Sequence, residues 1–381
     1  MKNRFANTIM LLAALTLPSA AFGKLAYIGT LDKKLLVFDE DKEEVVDEIQ
    51  LGGIPRTTAL SADQTKLHIF TTKMLLETVD LKTRKVISSF NISDGTSKPR
   101  IAAANRDRLN AGGGARFSGI AVDPGGRYLY TTMRLTVKEI DEYRIDPPQF
   151  VQIDLQDKKV SKVYQFPKDM DDGFGFNATY KVSPDGKLLY VFQEDILVFD
   201  LATFKQVDQI DLAQPPYPGA SPYRLAASED PNDTPQTVTS VFTAVDPVVH
   251  KGTLGLAKID LEKRKVEYFP IGPSLPMIGF MLSPDRKRGY SVMPMVAAGG
   301  NRATEWWEWD LTSHKVIRKQ EFQSPPTFRY AMSGDGKKFY LYGNGPTIEV
   351  WDAQSLTSRK LIDLKKDTTT NFITTSMSVT Q

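Results

Sequence analysis

"ILVFDLATFKQVDQIDL", residues 196–212, is an apolar run closed by an aspartate, then a short polar gap, then a second alternating run. Much the same phrase returns as "FVQIDLQDKKVSKVYQF" from Phe150 and "GLAKIDLEKRKVEYF" from Gly255. Internal repetition outranks any single motif, because missing it misreads the whole fold. Aspartates close seven such runs: Asp39, Asp80, Asp154, Asp200, Asp260, Asp310 and Asp352. A second phrase precedes most of them: "ALSADQTKLHIF" from Ala59, "AVDPGGRYLYTT" from Ala121, "KVSPDGKLLYVF" from Lys181, "MLSPDRKRGYSV" from Met281 and "AMSGDGKKFYLY" from Ala331.

Both phrases have a physical reading. In "SPDG", proline presets the first corner of a tight turn, and Asp and Gly tolerate the second. Apolar stretches on either side make it a hairpin. The aspartate ends the next strand, and its carboxylate can accept a backbone N–H two residues on, which fixes the following turn. The repeated aspartates are therefore expected to be turn caps rather than catalytic acids. A last alternating strand ("KVISSF", "KQVDQI", "KVIRKQEF") completes four short strands per unit. That is the pattern of a propeller blade. The expected fold is all-β: a seven-bladed beta-propeller of four-stranded antiparallel blades, with about 51 residues per blade over residues 24–381. The first unit lacks its turn phrase and begins at "LAYIGT", while the chain ends on an orphan strand, "NFITTSMSV". The orphan strand, residues about 371–379, is expected to join the first blade as its innermost strand. That removes an open edge from each partner.

Residues 1–23 read as a secretory signal peptide: Lys2 and Arg4, an apolar run from Ile9 to Leu17, then small residues for cleavage. The run is too short for a membrane span. The expected location is periplasmic or secreted. Of 48 Lys and Arg, removing Lys2 and Arg4 leaves 46 against 46 Asp and Glu, a neutral balance that argues against nucleic acid as partner. The absence of cysteine excludes disulfides, thiolate metal sites, a thiol nucleophile and covalent haem attachment. The three histidines, His68, His250 and His314, are far apart in sequence, so no metal site is expected. "GGG" at 112–114 lacks the context of a phosphate loop and reads as a flexible linker.

The period is broken in four places: residues 94–116, rich in Arg and Gly; residues 134–149, lengthening a hairpin of the third blade; the Pro-rich residues 213–237; and residues 293–308, lengthening a hairpin of the sixth. Insertions in repeat folds map to loops on particular faces, where function concentrates. Trp306 and Trp307 fall in the last of these, and Trp309 follows it. Strand alternation sends Trp306 to one side and Trp307 and Trp309 to the other. Trp306 and Trp307 either pack between blades or form a contact surface for a partner. Four arginines stand just before or at the innermost strands: Arg56 in "GGIPRTTALS", Arg116 in "GGGARFSGIAV", Arg224 in "SPYRLAAS" and Arg329 in "PPTFRYAMS". They are candidate binders of a small anionic ligand or an acidic partner at the channel mouth, with private pairing to acids of their own blades as the alternative.

With "VSPDGKLLYVF", "VFDLATFKQVDQI" and the lengthened "RLTVKEIDEYRIDPPQFVQID", the chain resembles the YVTN-type beta-propellers. More narrowly it resembles the beta subunit of quinohemoprotein amine dehydrogenase. The resemblance covers nearly all of residues 25–380. It implies a non-catalytic scaffold or binding subunit in the periplasm, holding no cofactor itself, beside a small quinone-bearing subunit and a cytochrome subunit. It transfers no catalytic residue. The rival readings are a propeller enzyme, such as a lactonase-like hydrolase at the channel mouth, and a stand-alone ligand-binding or surface propeller.

Overall fold

In the computed structural model, residues 25–92, 114–138, 140–166, 170, 173–175, 178–212, 224–226, 230–246, 248–296, 302–325 and 327–375 are described. The expected signal peptide lies outside them, as does most of the 94–116 insertion. The described residues form seven antiparallel sheets, the blades. Numbered from the N-terminus, their innermost strands are Thr368–Thr374 (blade 1), Pro55–Leu60 (2), Gly114–Val122 (3), Thr179–Val182 (4), Arg224–Leu225 (5), Ile278–Leu282 (6) and Arg329–Met332 (7). Each blade then runs outward as a meander of three further strands.

The aspartate phrase folds as expected. All seven aspartates are the last residue of a third strand. Each Oδ1 accepts backbone N–H groups two or three residues on, at 2.7–3.1 Å. Hydrogen bonds within these turns hold Asp80, Asp200, Asp260 and Asp352 below the usual carboxylate range, and the Ser313 N–H and hydroxyl pull Asp310 down to about 2. Four residues after every aspartate the chain turns left-handed, at Glu43, Arg84, Lys158, Phe204, Arg264, His314 and Leu356, with φ between 55° and 57°. None of these is glycine, so the tight turn imposes a backbone conformation that side chains disfavour. The other phrase closes the first hairpin of a blade. In blades 2, 4, 6 and 7 a serine hydroxyl donates to the aspartate two residues on, at 2.6 Å.

Closure differs from expectation in its register. The C-terminal strand is Thr368–Thr374, beginning three residues earlier than expected, and Tyr27 pairs with Ile373 and Ala26 with Thr374. Residues 376–381 lie outside the described residues. Blade 3 also departs from four strands: the lengthened hairpin carries a short extra strand, Tyr143–Ile145, on the edge of Tyr128–Lys138. Gly114, expected in a linker, begins the innermost strand of blade 3.

The core lies in the seams between blades. Each neighbouring pair shares one apolar cluster, seven in all, including the seam that joins blade 7 to blade 1 through Tyr340, Ile348, Phe38 and Phe372. At that seam Glu40 is fully buried. Its Oε2 accepts the Gly334 N–H at 3.1 Å, and the Tyr340 hydroxyl lies against its carboxyl. Glu43 adds ion pairs to Lys338 at 2.9 Å and Arg359 at 3.2 Å.

Candidate functional site: two unlike faces of one ring

The central channel has a cavity of about 630 Å³ lined by the innermost strands of six blades and, in blade 5, by Asp230, Pro231, Asn232 and Pro235. Its walls are the late residues of those strands, among them Thr58–Leu60, Ile120–Val122, Tyr180–Val182, Phe280–Leu282 and Phe372–Thr374. The innermost strands therefore all end at one mouth, on the lower face. They begin at the other, on the upper face. Because each blade is an antiparallel meander, the hairpins between second and third strands and the links between blades fall on the upper face. The serine and aspartate turns fall on the lower face.

That assignment sorts the surface. Among the described residues, four exposed large apolar side chains stand singly on outermost strands: Ile87, Val207, Ile317 and Leu361. The other nine are all at the upper face. Leu31 is in the blade 1 hairpin. Ile140, Tyr143 and Ile145 are in the lengthened hairpin of blade 3, with Ile140 93% exposed. Val245, Val248 and Val249 cap the hairpin of blade 5, with Val248 76% and Val249 66% exposed. Ile271 and Ile278 stand at upper strand ends in blades 5 and 6. The lower face has none. Scattered apolar residues need no explanation, but a set confined to one face does.

Arg56, Arg116, Arg224 and Arg329 occupy the first to third positions of innermost strands in blades 2, 3, 5 and 7. All four are exposed, and none makes a hydrogen bond or ion pair with another described residue. The remaining arginines with described side chains are engaged. Arg84, Arg127, Arg144, Arg264, Arg288, Arg318 and Arg359 meet carboxylates, Arg286 donates to the Asn232 carbonyl, and Arg134 also has a partner. Arg116 stands directly opposite Arg134 in the register of blade 3. Arg224 lines a second, 470 Å³ cavity with Thr243, Ser274 and Met277.

Trp306 and Trp307 are not available as a contact surface. Trp306 is 0% and Trp307 3% exposed. As alternation predicts, they point into different seams: Trp306 between blades 6 and 7, Trp307 and Trp309 between blades 5 and 6. Burial of their large rings between sheets outweighs any surface role. His68 is buried, its Nδ1 3.0 Å from the Thr78 hydroxyl, and burial pushes it down to about 4. His314 stacks on Phe269 in a turn, and His250 sits in a loop. Among the described residues, no three His, Asp or Glu side chains gather as a metal-binding group, and no helix is long and apolar enough to cross a membrane.

Sequence reasoning missed Asp230, an acid of the channel wall, and its neighbour Asp233. In "ASEDPNDTP", which replaces the usual turn of blade 5, Asp230 reaches across to blade 6. It accepts N–H bonds from Asn232 and Leu282, both at 2.7 Å. Asn232 returns a bond to the Leu282 carbonyl at 2.9 Å. Asp233 accepts from the Thr239 N–H at 2.7 Å, and Lys181 of blade 4 donates to the Thr237 carbonyl at 2.8 Å. Burial pushes Asp230 up to about 7 and raises Asp233. The signal was the departure of this segment from the "SPDG" pattern. In blades 3 and 6, Gly119 and Gly279 turn left-handed where Tyr180 and Tyr330 of the following blade pack; a Cβ there would lie 2.3 Å from the Tyr180 ring and 2.7 Å from the Tyr330 hydroxyl.

No protein-family model and no curated protein matches this chain. Among solved structures it is similar to dihydro-heme d1 dehydrogenase NirN in complex with DHE, at 13% identity and a TM-score of 0.50, over 94% of this chain and 76% of that one. It is also similar to Kuenenia stuttgartiensis hydrazine synthase, at 14% identity and a TM-score of 0.45, over 94% of this chain and 100% of that one. At 13% identity the likeness to the first of these shows the fold alone.

Proposed function

We propose that this chain is an exported, non-catalytic scaffold subunit whose upper face docks partner proteins. The observation that carries this is the uneven surface: of the thirteen exposed large apolar residues described, nine lie at the upper face, in hairpins and at upper strand ends, and the other four stand singly on outermost strands. Apolar side chains bordered by polar ones mark interaction sites. The resemblance to the beta subunit of quinohemoprotein amine dehydrogenase supplies the partner class: a small quinone-bearing subunit and a cytochrome, with the cofactors on those partners and none on this chain. The test is capture from native periplasmic extract by the tagged full chain, its Val248→Glu/Val249→Glu variant, and a lower-face variant, Lys187→Glu/Lys337→Glu. The proposal expects a quinone- or haem-bearing protein with the first and third baits and its loss with the second. Equal capture by all three baits contradicts it.

One observation favours a second reading, a hydrolase working from the channel. Asp230 lines the 630 Å³ cavity, and burial pushes its carboxyl up to about 7, where an acid–base group is most useful. On that reading the chain hydrolyses lactones or aryl esters, and Asp230→Asn abolishes the turnover. No hydrolysis across such a panel removes the reading.

A further inference from the structure

Of the thirteen arginines with described side chains, seven meet carboxylates and two more have other partners. The exceptions are positional: the described arginines without a partner are Arg56, Arg116, Arg224 and Arg329, all at the upper mouth. Two further features bear on what meets them. Like charges opposite one another in a sheet repel, and Arg116 faces Arg134 across blade 3. Arg329 pairs in register with Tyr342, a wall residue of the channel cavity, and its charge acts on that hydroxyl. Positive charge is thus presented around the opening without a paired acid among the described residues, on a chain otherwise close to neutral.

Resting on the docking reading above, we infer that the partner lays an acidic, extended segment across the upper mouth, with its carboxylates on these four arginines. A guanidinium offers a planar fork that matches a carboxylate. Geometry selects a segment over a small anion. The arginines come from blades 2, 3, 5 and 7 and so are spread around the ring, where one small anion meets one or two of them. An extended chain advances about 3.3 Å per residue, so about ten residues span roughly 33 Å. Exposed apolar residues on the same face provide the flanking contacts that a protein, unlike a free anion, makes.

The test uses the full chain and a fluorescein-labelled peptide of about ten glutamates, read by anisotropy at low and at physiological salt. Binding is expected at low salt, weakening steeply as salt rises. Arg56→Ala/Arg329→Ala, on the two blades flanking blade 1, is expected to weaken it by about tenfold or more and to flatten the salt dependence. Lys187→Ala/Lys337→Ala on the lower face is expected to change it less than about twofold. Unchanged melting temperatures for both variants show that fold loss is not the cause. Peptide binding equal in wild type and the arginine variant overturns the inference. So does inorganic phosphate that displaces the peptide more strongly than chloride of equal ionic strength, which marks a small-anion site. The peptide lacks apolar side chains, so its outcome is independent of the Val248/Val249 capture. If capture still depends on the valines while the peptide ignores the arginines, the docking reading stands and this inference falls.

Discussion

The two faces of the ring are built from the same strands and differ in nearly everything else. On the lower face, two turn shapes recur with the same hydrogen bonds: the serine–aspartate turn and the aspartate cap with its left-handed fourth residue. The serines and aspartates of those turns spend their polar atoms on bonds inside the chain. On the upper face, hairpins vary in length, apolar side chains stand in solvent, and arginines lack partners. A repeat fold needs only one set of turns to fix its strand order. The other set is free to vary, and here the variation collects where a partner can reach it.

The comparison breaks most severely if the ring is opened. Deleting residues 368–381 strips blade 1 of its innermost strand and leaves the edge of Leu25–Thr30 unpaired. The cooperative melting transition is expected to vanish or fall by on the order of 10 °C or more. An unchanged transition by differential scanning calorimetry contradicts the closure.

The seam that this strand closes also carries a pH dependence. Burial raises Glu40 from 4.5 to about 7. The folded state therefore keeps a proton that the unfolded chain releases above about pH 4.5. The stability linked to Glu40 is fully present below 4.5 and is lost as pH rises through about 7. Chemical denaturation at pH 5 and pH 8 is expected to show this loss in the wild type. Glu40→Gln, which still offers an acceptor to Gly334, is expected to remove a difference on the order of 2–3 kcal/mol. Identical pH dependence in both proteins contradicts the assignment.

Within the lower face, the aspartate caps are not equal. Asp154 is buried and also accepts two bonds from Arg127, at 2.9 Å and 3.0 Å, whereas Asp260 sits at the surface. Asp154→Ala is expected to cost about 2–3 kcal/mol and Asp260→Ala about 1 kcal/mol. Equal costs in urea titrations remove the distinction. The smallest effect is on the upper face. Val248→Ser/Val249→Ser and Arg56→Ala/Arg329→Ala are each expected to shift stability by less than about 0.5 kcal/mol, because those side chains hold nothing in the fold. A larger loss makes them structural.

Much of the lower face was legible in sequence because its chemistry is local. Asp200 and Thr203 are three residues apart, so a turn cap can be read from spacing. The orphan strand announced closure for the same reason that edges are costly, although its start at Thr368 lay hidden in the polar "DTTT". The left-handed residues were not legible. Glu43, Arg84 and Phe204 share a conformation and no side-chain chemistry, because the hairpin bulge imposes it. The Asp230–Leu282 contact spans 52 residues, beyond any local pattern. Trp306 and Trp307 were placed on opposite sides by alternation, but alternation does not reveal that both sides of a blade are buried. The arginines could be located at strand starts; their lack of partners is a property of three dimensions alone.

The claim that the upper face is the docking face is tested most directly by hydroxyl-radical footprinting. The full chain is compared alone and in the assembly isolated with it from native extract. The account predicts protection of Ile140, Tyr143, Ile145, Val248 and Val249 in the assembly, with the lower-face turn residues Pro184, Pro284 and Leu311 unchanged. Protection of the lower-face turns, or equal labelling of the upper hairpins in both samples, contradicts it.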